Sequence, residues 1–252
     1  MHTLHSDEIR MQCNKSNFYI PILDAIVADS LVFNAFFDTG IPSDFIIVSD
    51  SLKGTFVGNK ISVQIGKQKK QMGIDFVESK RLYFNKQTII IGWEFFKDKV
   101  IELSFDKQYI RVYESLPDIT NYSKIKITAN THLAIPVKVV LQGKTLEDTA
   151  FIDTGNNGYA SFATDLAAKY RINVEDANYG KAMTNVGYFS GYSLPVDTIK
   201  IGNLFIANQN MRVGFRPRTK DRDIGGLIGT RTFANFSVIL DLINYDLYLR
   251  PL

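Results

Sequence analysis

Two short stretches carry the residues best suited to chemistry. "FNAFFDTGIP" ends an apolar run on Asp38-Thr39-Gly40, and "EDTAFIDTGNNG" ends another on Asp153-Thr154-Gly155. One Asp-Thr-Gly alone is what any strand ending in a turn would carry, with Asp bonding nearby backbone and Gly supplying a positive φ. Two are a different matter. The aspartates stand 115 positions apart, and the same offset carries Ile20-Pro21-Ile22 onto Ile135-Pro136-Val137 without a gap. Such agreement marks an internal duplication that puts an Asp in the same structural place twice. Two carboxylates sharing one proton can activate a water and protonate a carbonyl oxygen, because adjacent like charges push their pKa values apart. The proton belongs to the pair, so neither Asp is assigned as acid or base from sequence.

The elements that must position these residues are mostly strands. Alternation or apolar runs predict strands at 18–27, 31–37, 45–48, 60–65, 88–91, 100–105 and 109–113. The second half repeats them at 133–141, 145–152, 195–201, 211–215, 238–242 and 247–249. Ile90-Ile91-Gly92 answers to Leu227-Ile228-Gly229 at an offset of 137, and Ile65-Gly66 answers to Ile201-Gly202 at 136. The extra residues of the second copy therefore fall between its Asp-Thr-Gly and Ile201. There "YASFATDLAAKY" places Tyr159, Phe162, Leu166 and Tyr170 at helical spacing, which predicts one amphipathic helix with no counterpart in the first copy. "ESLPDITNYSK", with its Pro, Asn and Ser, reads as a linker. The expected organisation is a poorly ordered segment 1–17, a lobe 18–114, a linker 115–131 and a second lobe 132–252.

A strand, an Asp-Thr-Gly and a later apolar-apolar-Gly segment together resemble the aspartic peptidases. Two copies in one chain are similar to the bilobal pepsin-like arrangement, and the short lobes are similar to retroviral proteases. The resemblance spans both halves, from about Ile20 to the C-terminus. It implies a mostly all-β fold of two pseudo-twofold-related lobes, with Asp38 and Asp153 as the catalytic pair in hydrolysis of an extended polypeptide. It also implies that Thr39 and Thr154 cross-link the two loops, and that the Gly92 and Gly229 segments cross behind and brace them. Gly40 and Gly155 would let backbone N–H groups approach the carboxylates. A catalytically idle relative that binds peptide in the same cleft is the alternative, and the intact triplets favour activity.

Two departures from the family pattern matter. Pepsin-like enzymes carry their covering flap on the N-terminal lobe, yet here that lobe has only "SLKGTFVGNK" in the interval. The second copy has "AMTNVGYFSGYSLP", in which Gly187 and Gly191 punctuate Tyr188, Phe189 and Tyr192. The flap is therefore expected on the C-terminal lobe, with Tyr188 or Tyr192 reaching toward the dyad; a surface hairpin packing its own aromatics is the plainer reading. Many pepsin-like members also place a Ser or Thr directly after Asp-Thr-Gly to bond the carboxylate. Ile41 and Asn156 stand there instead. Ile41 donates nothing and dries the site, which predicts a pH optimum of roughly 4–6, less acidic than that of the stomach enzymes.

Composition narrows the remaining classes. The net charge of +3 is too small to point to nucleic acid, and the lysines of "GKQKKQ" read as a solvated hairpin tip. Twelve Tyr and eighteen Phe favour sheet. Cys13 is the single cysteine, so no internal disulfide forms, and a Cys–His nucleophile is disfavoured. His2, His5 and His132 show no metal-ligand spacing: the first two read as a tag remnant, the third as an ordinary surface residue. Gly225-Gly226 and Gly229 lack the Lys-Ser or Lys-Thr of a phosphate loop. No cofactor or metal is expected, and a monomer acting on peptide or protein substrate is. No transmembrane run or signal peptide is read, and the location stays open, with an extracytoplasmic one fitting a trimmed leader.

Overall fold

The computed structural model describes residues 6–12, 20–29, 31–41, 44–78, 88–175, 177–184, 187–207, 211–216 and 225–252. Cys13, His2 and His5 lie outside the described residues. The chain is mostly β. Strands β1 (Ser6–Arg10), β2 (Pro21–Val27), β3 (Leu31–Asp38), β4 (Phe45–Ser49), β5 (Lys60–Ile65), β6 (Gln68–Val77), β7 (Thr88–Gly92), β8 (Val100–Ser104) and β9 (Tyr109–Tyr113) make up the first half. The second holds β10 (Ser123–Lys126), β11 (Thr128–Ala129), β12 (Leu133–Leu141), β13 (Lys144–Asp153), β14 (Ala160–Ala163), β15 (Asn178–Thr184) and β16 (Gly187–Pro195). It continues with β17 (Thr198–Ile201), β18 (Leu204–Ile206), β19 (Arg212–Arg216), β20 (Gly226–Gly229), β21 (Phe236–Asp241) and β22 (Asp246–Pro251).

Among the described residues three sheets form. Strands β2-β3-β7-β4-β6-β5 close into a barrel, and β15-β16-β19-β14-β20-β13-β12-β17-β18 form a second, larger sheet. A six-stranded sheet, β1-β9-β8-β21-β22-β10, draws strands from both halves. At its centre β8 and β21 run antiparallel with Glu102 opposite Ile239. Where a strand is covered on both faces its sequence loses alternation: every residue of β7 and of β20 is buried, which is why they read as Ile-Ile-Ile-Gly and Gly-Leu-Ile-Gly. Half-covered β12 alternates instead. The core continues behind the first Asp-Thr-Gly, where Phe37 meets Phe96 edge-to-face at 5.3 Å and Phe95 meets Phe96 at 4.9 Å. Burying each such ring stabilises by about 1.5–3 kcal/mol.

The tight turns of the two halves match. Gly66 and Gly202 each close a hairpin, β5–β6 and β17–β18, at φ +57. That left-handed conformation is nearly free only for glycine. The Asp7 carboxylate accepts the Lys67 N–H at 2.6 Å, fastening β1 to the first of these turns.

Several expectations change here. The helix spacing at 159–170 extends too far: Ala160–Ala163 is strand β14, held between β19 and β20, and α1 covers only Thr164–Lys169. Pairing on both edges overrides the local periodicity. A 3₁₀ turn at Asp50–Leu52 follows β4 in the first half. Within the stretch 1–17, Ser6–Arg10 pairs with β9, and within 115–131, β10 pairs with β22. His132 is buried against the Phe151 ring at 4.8 Å rather than exposed. The lysine run is a hairpin with Gly66-Lys67 at its turn, but Gln68–Gln71 already belong to β6 and pair with β5.

Candidate active site

Each Asp-Thr-Gly sits at the end of a strand that runs parallel to a buried partner. β3 lies along β7 so that Asp38 pairs with Gly92, and β13 lies along β20 so that Asp153 pairs with Gly229. The chain then turns in the same way twice. Ile41 N–H donates to the Asp38 carbonyl at 3.1 Å, and Asn156 N–H to the Asp153 carbonyl at 3.1 Å.

The threonines join the two turns. Thr39 N–H donates to Thr154 Oγ1 at 2.9 Å, and Thr154 N–H donates to Thr39 Oγ1 at 3.0 Å. Each hydroxyl then donates onward, Thr39 to the Ile152 carbonyl and Thr154 to the Phe37 carbonyl, both at 2.7 Å. Both residues are buried, so all four bonds are shielded from water.

This lattice brings the carboxylates together. Asp38 and Asp153 share a side-chain hydrogen bond. A Cβ placed on Gly40 would stand 2.8 Å from Asp153 Oδ1 and 3.1 Å from Asp38 Oδ1, and one placed on Gly155 would run into the Asp38 carboxylate. Both glycines are therefore required by space. Their backbone reaches the acid: Gly40 N–H donates to Asp38 Oδ1 at 2.8 Å, and Gly155 N–H donates to Asp38 as well. Burial, and next the Asp153 charge, hold the Asp38 carboxyl well above the usual carboxylate range, with the two N–H donors pulling the other way. Asp38 and Asp153 are each half-buried, so water moderates the burial effect, but the neighbouring charge acts in the same direction.

The flanking residues separate the two turns. Ile41 packs beside Phe36, Phe45, Ile47 and Ile90 in an apolar cluster. Asn156 turns its side-chain oxygen into its own loop, accepting Gly158 N–H at 2.7 Å. Gly229 is extended, at φ −89; its glycine is needed for room, since a Cβ would stand 2.7 Å from the Asn156 carbonyl oxygen. Gly92 is likewise extended, at φ −81. Two residues that motif reading passed over adjoin these glycines. Thr230 donates its N–H and its Oγ1 to the Asn156 carbonyl, both at 2.9 Å, while Trp93 holds the matching place after Gly92. The offset of 137 that pairs Gly92 with Gly229 also pairs Trp93 with Thr230, but an unlike pair carries no sign of a bracing hydroxyl.

The hairpin expected as a flap exists as β15–β16, from Asn178–Ser193 pairing up to Thr184–Gly187. Gly187 opens β16; the side chains of Tyr188 and Phe189 lie outside the described residues. Gly191 is a glycine because any Cβ would collide with the Phe215 carbonyl of β19. Tyr192 stands edge-on to exposed Tyr179 with ring centroids 5.6 Å apart, so it packs within its own hairpin. Among the described residues no group of His, Cys, Asp and Glu is arranged to hold a metal.

No family model matches the chain, and no curated protein matches it. The chemistry therefore rests on the geometry. Two carboxyl groups in contact, one held toward its protonated form, can take a proton from one atom while giving a proton to another.

Proposed function

We propose that the chain is a single-chain aspartic endopeptidase in which Asp38 and Asp153 activate water against a peptide bond. The observation that carries this reading is the contact between the two carboxyl groups, held by the reciprocal Thr39–Thr154 bonds. A pseudo-twofold relation between two lobes supports it. Glu102 and Ile239, equivalent at the offset of 137, are paired opposite one another, as an axis passing between them would require. The Asp38–Gly92 and Asp153–Gly229 pairs add the same relation at the site.

In the proposed reaction an extended polypeptide lies across the dyad. One carboxylate takes a proton from the water as its oxygen bonds to the carbonyl carbon, while the partner carboxyl gives its proton to the carbonyl oxygen. Collapse of the resulting diol re-forms the C=O bond and breaks the C–N bond: the first carboxyl passes the proton it took from the water to the departing nitrogen, and a diol hydroxyl returns a proton to the partner. The β15–β16 hairpin of the second half is the cover for this site. The protein acts as a monomer, because one chain supplies both carboxylates.

A peptide library incubated at pH 4–6, with products read by mass spectrometry, tests the proposal. Internal cleavage that a statine-containing peptide inhibitor blocks is the expected result. Binding of that inhibitor with no cleavage of any peptide would instead make the chain an idle peptide-binding relative.

A further inference from the structure

The residue that follows the bracing glycine differs between the two turns that carry the carboxylates. Behind the second, the segment after Gly229 is sewn to the loop after Gly155. Thr230, fully buried, gives both its N–H and its hydroxyl to the carbonyl of Asn156. Arg231 N–H donates to the Gly158 carbonyl at 3.2 Å, and Gly229 N–H to the Tyr159 carbonyl at 2.8 Å. Asn156 is also the residue whose N–H closes the turn onto the Asp153 carbonyl. The Thr230 hydroxyl is thus two hydrogen bonds from the backbone of Asp153. Behind the first turn the matching residue is Trp93. It has no hydroxyl to offer, and its indole N–H is buried without a hydrogen-bond partner among the described residues. Its ring is instead turned edge-on to Tyr245, 6.4 Å away.

We infer that Thr230 is a positioning residue for Asp153, fixing the loop from Gly155 to Gly158 so that one carboxylate of the pair is held rigidly. The inference rests on the peptidase reading for its kinetic consequence, but not for its geometric one. A carbonyl that accepts two donors from one residue is confined in both distance and direction, and the turn it belongs to ends on Asp153. Loss of the hydroxyl leaves a single donor on Asn156 and lets the loop rotate about it. A displacement of a reacting group by a fraction of an ångström acts on the chemical step more than on the binding of an extended peptide.

Thr230→Val removes the hydroxyl while keeping the branched shape, and Thr230→Ser restores the hydroxyl alone. The expected result is a kcat lower by about 10- to 100-fold in the valine variant with KM within about twofold, and recovery in the serine variant. Thr232→Val is the comparison. Its hydroxyl bonds the Tyr159 carbonyl at the entry to β14, past the loop, so its loss lowers the melting temperature without the same fall in kcat. If valine at 230 fails to fold, Thr230→Ala removes the same hydroxyl. The titration of the Asp38 and Asp153 carboxyl carbons, followed by NMR in protein labelled at aspartate, gives a readout that needs no turnover. The titration midpoints should move in Thr230→Val and return in Thr230→Ser. Unchanged midpoints, or an equal effect at Thr232, overturn the inference whether or not the wild type cleaves peptide. Moved midpoints in a protein that cleaves nothing would uphold it and reject the peptidase reading alone.

Discussion

Thr39 and Thr154 each donate a backbone N–H to the other's hydroxyl, at 2.9 and 3.0 Å, across a separation of 115 residues. Neither bond exists without both halves in place, so the site and the association of the halves are one structure. Thr39→Val would strand the Thr154 N–H and the Ile152 carbonyl in a buried place, and the cost is about 2–4 kcal/mol. Melting should fall by roughly 5–15 °C. Thr154→Val should do the same by symmetry. The double variant should lose less than the sum, because the two turns are in contact and loosening one weakens the two bonds that the other hydroxyl still makes. Additive losses would mean that the two threonines act independently.

Asp38 carries a stability signature. Its folded-state carboxyl is held above its unfolded value by burial and by the Asp153 charge. Its contribution is therefore fully present below the unfolded pKa, about 3.9, and is lost as pH rises through the raised folded value. Asp38→Asn has no proton to lose. The variant should melt above the wild type at pH 7, by about 3–6 °C for each pKa unit of elevation, and the gap should close near pH 3.5. Calorimetry across that range checks this. A wild type as stable as the variant at neutral pH would contradict it.

Ile41 should govern where the dyad works. Its N–H closes the turn onto the Asp38 carbonyl, while its side chain joins the apolar cluster of Ile47 and Ile90 and has no donor. Ile41→Ser adds one hydroxyl and some hydration, both of which favour the charged carboxylate. The profile of kcat/KM against pH should move toward acid from an optimum of roughly 4–6. No movement, or movement toward alkali, rejects the assignment.

The β15–β16 hairpin should behave as the cover. Gly191→Ala drives a Cβ into the Phe215 carbonyl and must displace the hairpin from β19. It should raise KM several-fold while the core melts nearly as before. Tyr188→Ala should lower kcat/KM more than Tyr192→Ala, because Tyr192 already packs on Tyr179. Steady-state kinetics in which all three variants match the wild type would leave the hairpin without a part in catalysis.

The repeated tripeptide was legible because two carboxylates in contact, a cross-linking hydroxyl and a clash-free glycine leave little freedom in residue type. Gly66 and Gly202 were legible for a similar reason: one left-handed turn was written twice. The stretch at 159–170 misled because helical spacing is local, whereas Ala160–Ala163 became strand through pairing with β19 and β20, segments about fifty to seventy residues away. Strand β6 hid behind its lysines. Its residues alternate between solvent and sheet, but the outward positions at Lys69 and Gln71 made it look like a polar tip. Thr230 was hidden differently. A buried hydroxyl that braces a loop has no motif, and only the three-dimensional neighbour, the Asn156 carbonyl, gives it a role.

The central claim is that Asp38 and Asp153 act as one catalytic pair, and single substitutions at each test it most directly. Asp38→Asn and Asp153→Asn should each lower kcat on a cleaved peptide by about 10³-fold or more, since one carboxyl cannot both accept and donate the proton. Both variants should keep the wild-type circular dichroism spectrum. Kinetics in which either variant retains activity within about tenfold of the wild type, with its fold intact, would contradict the account.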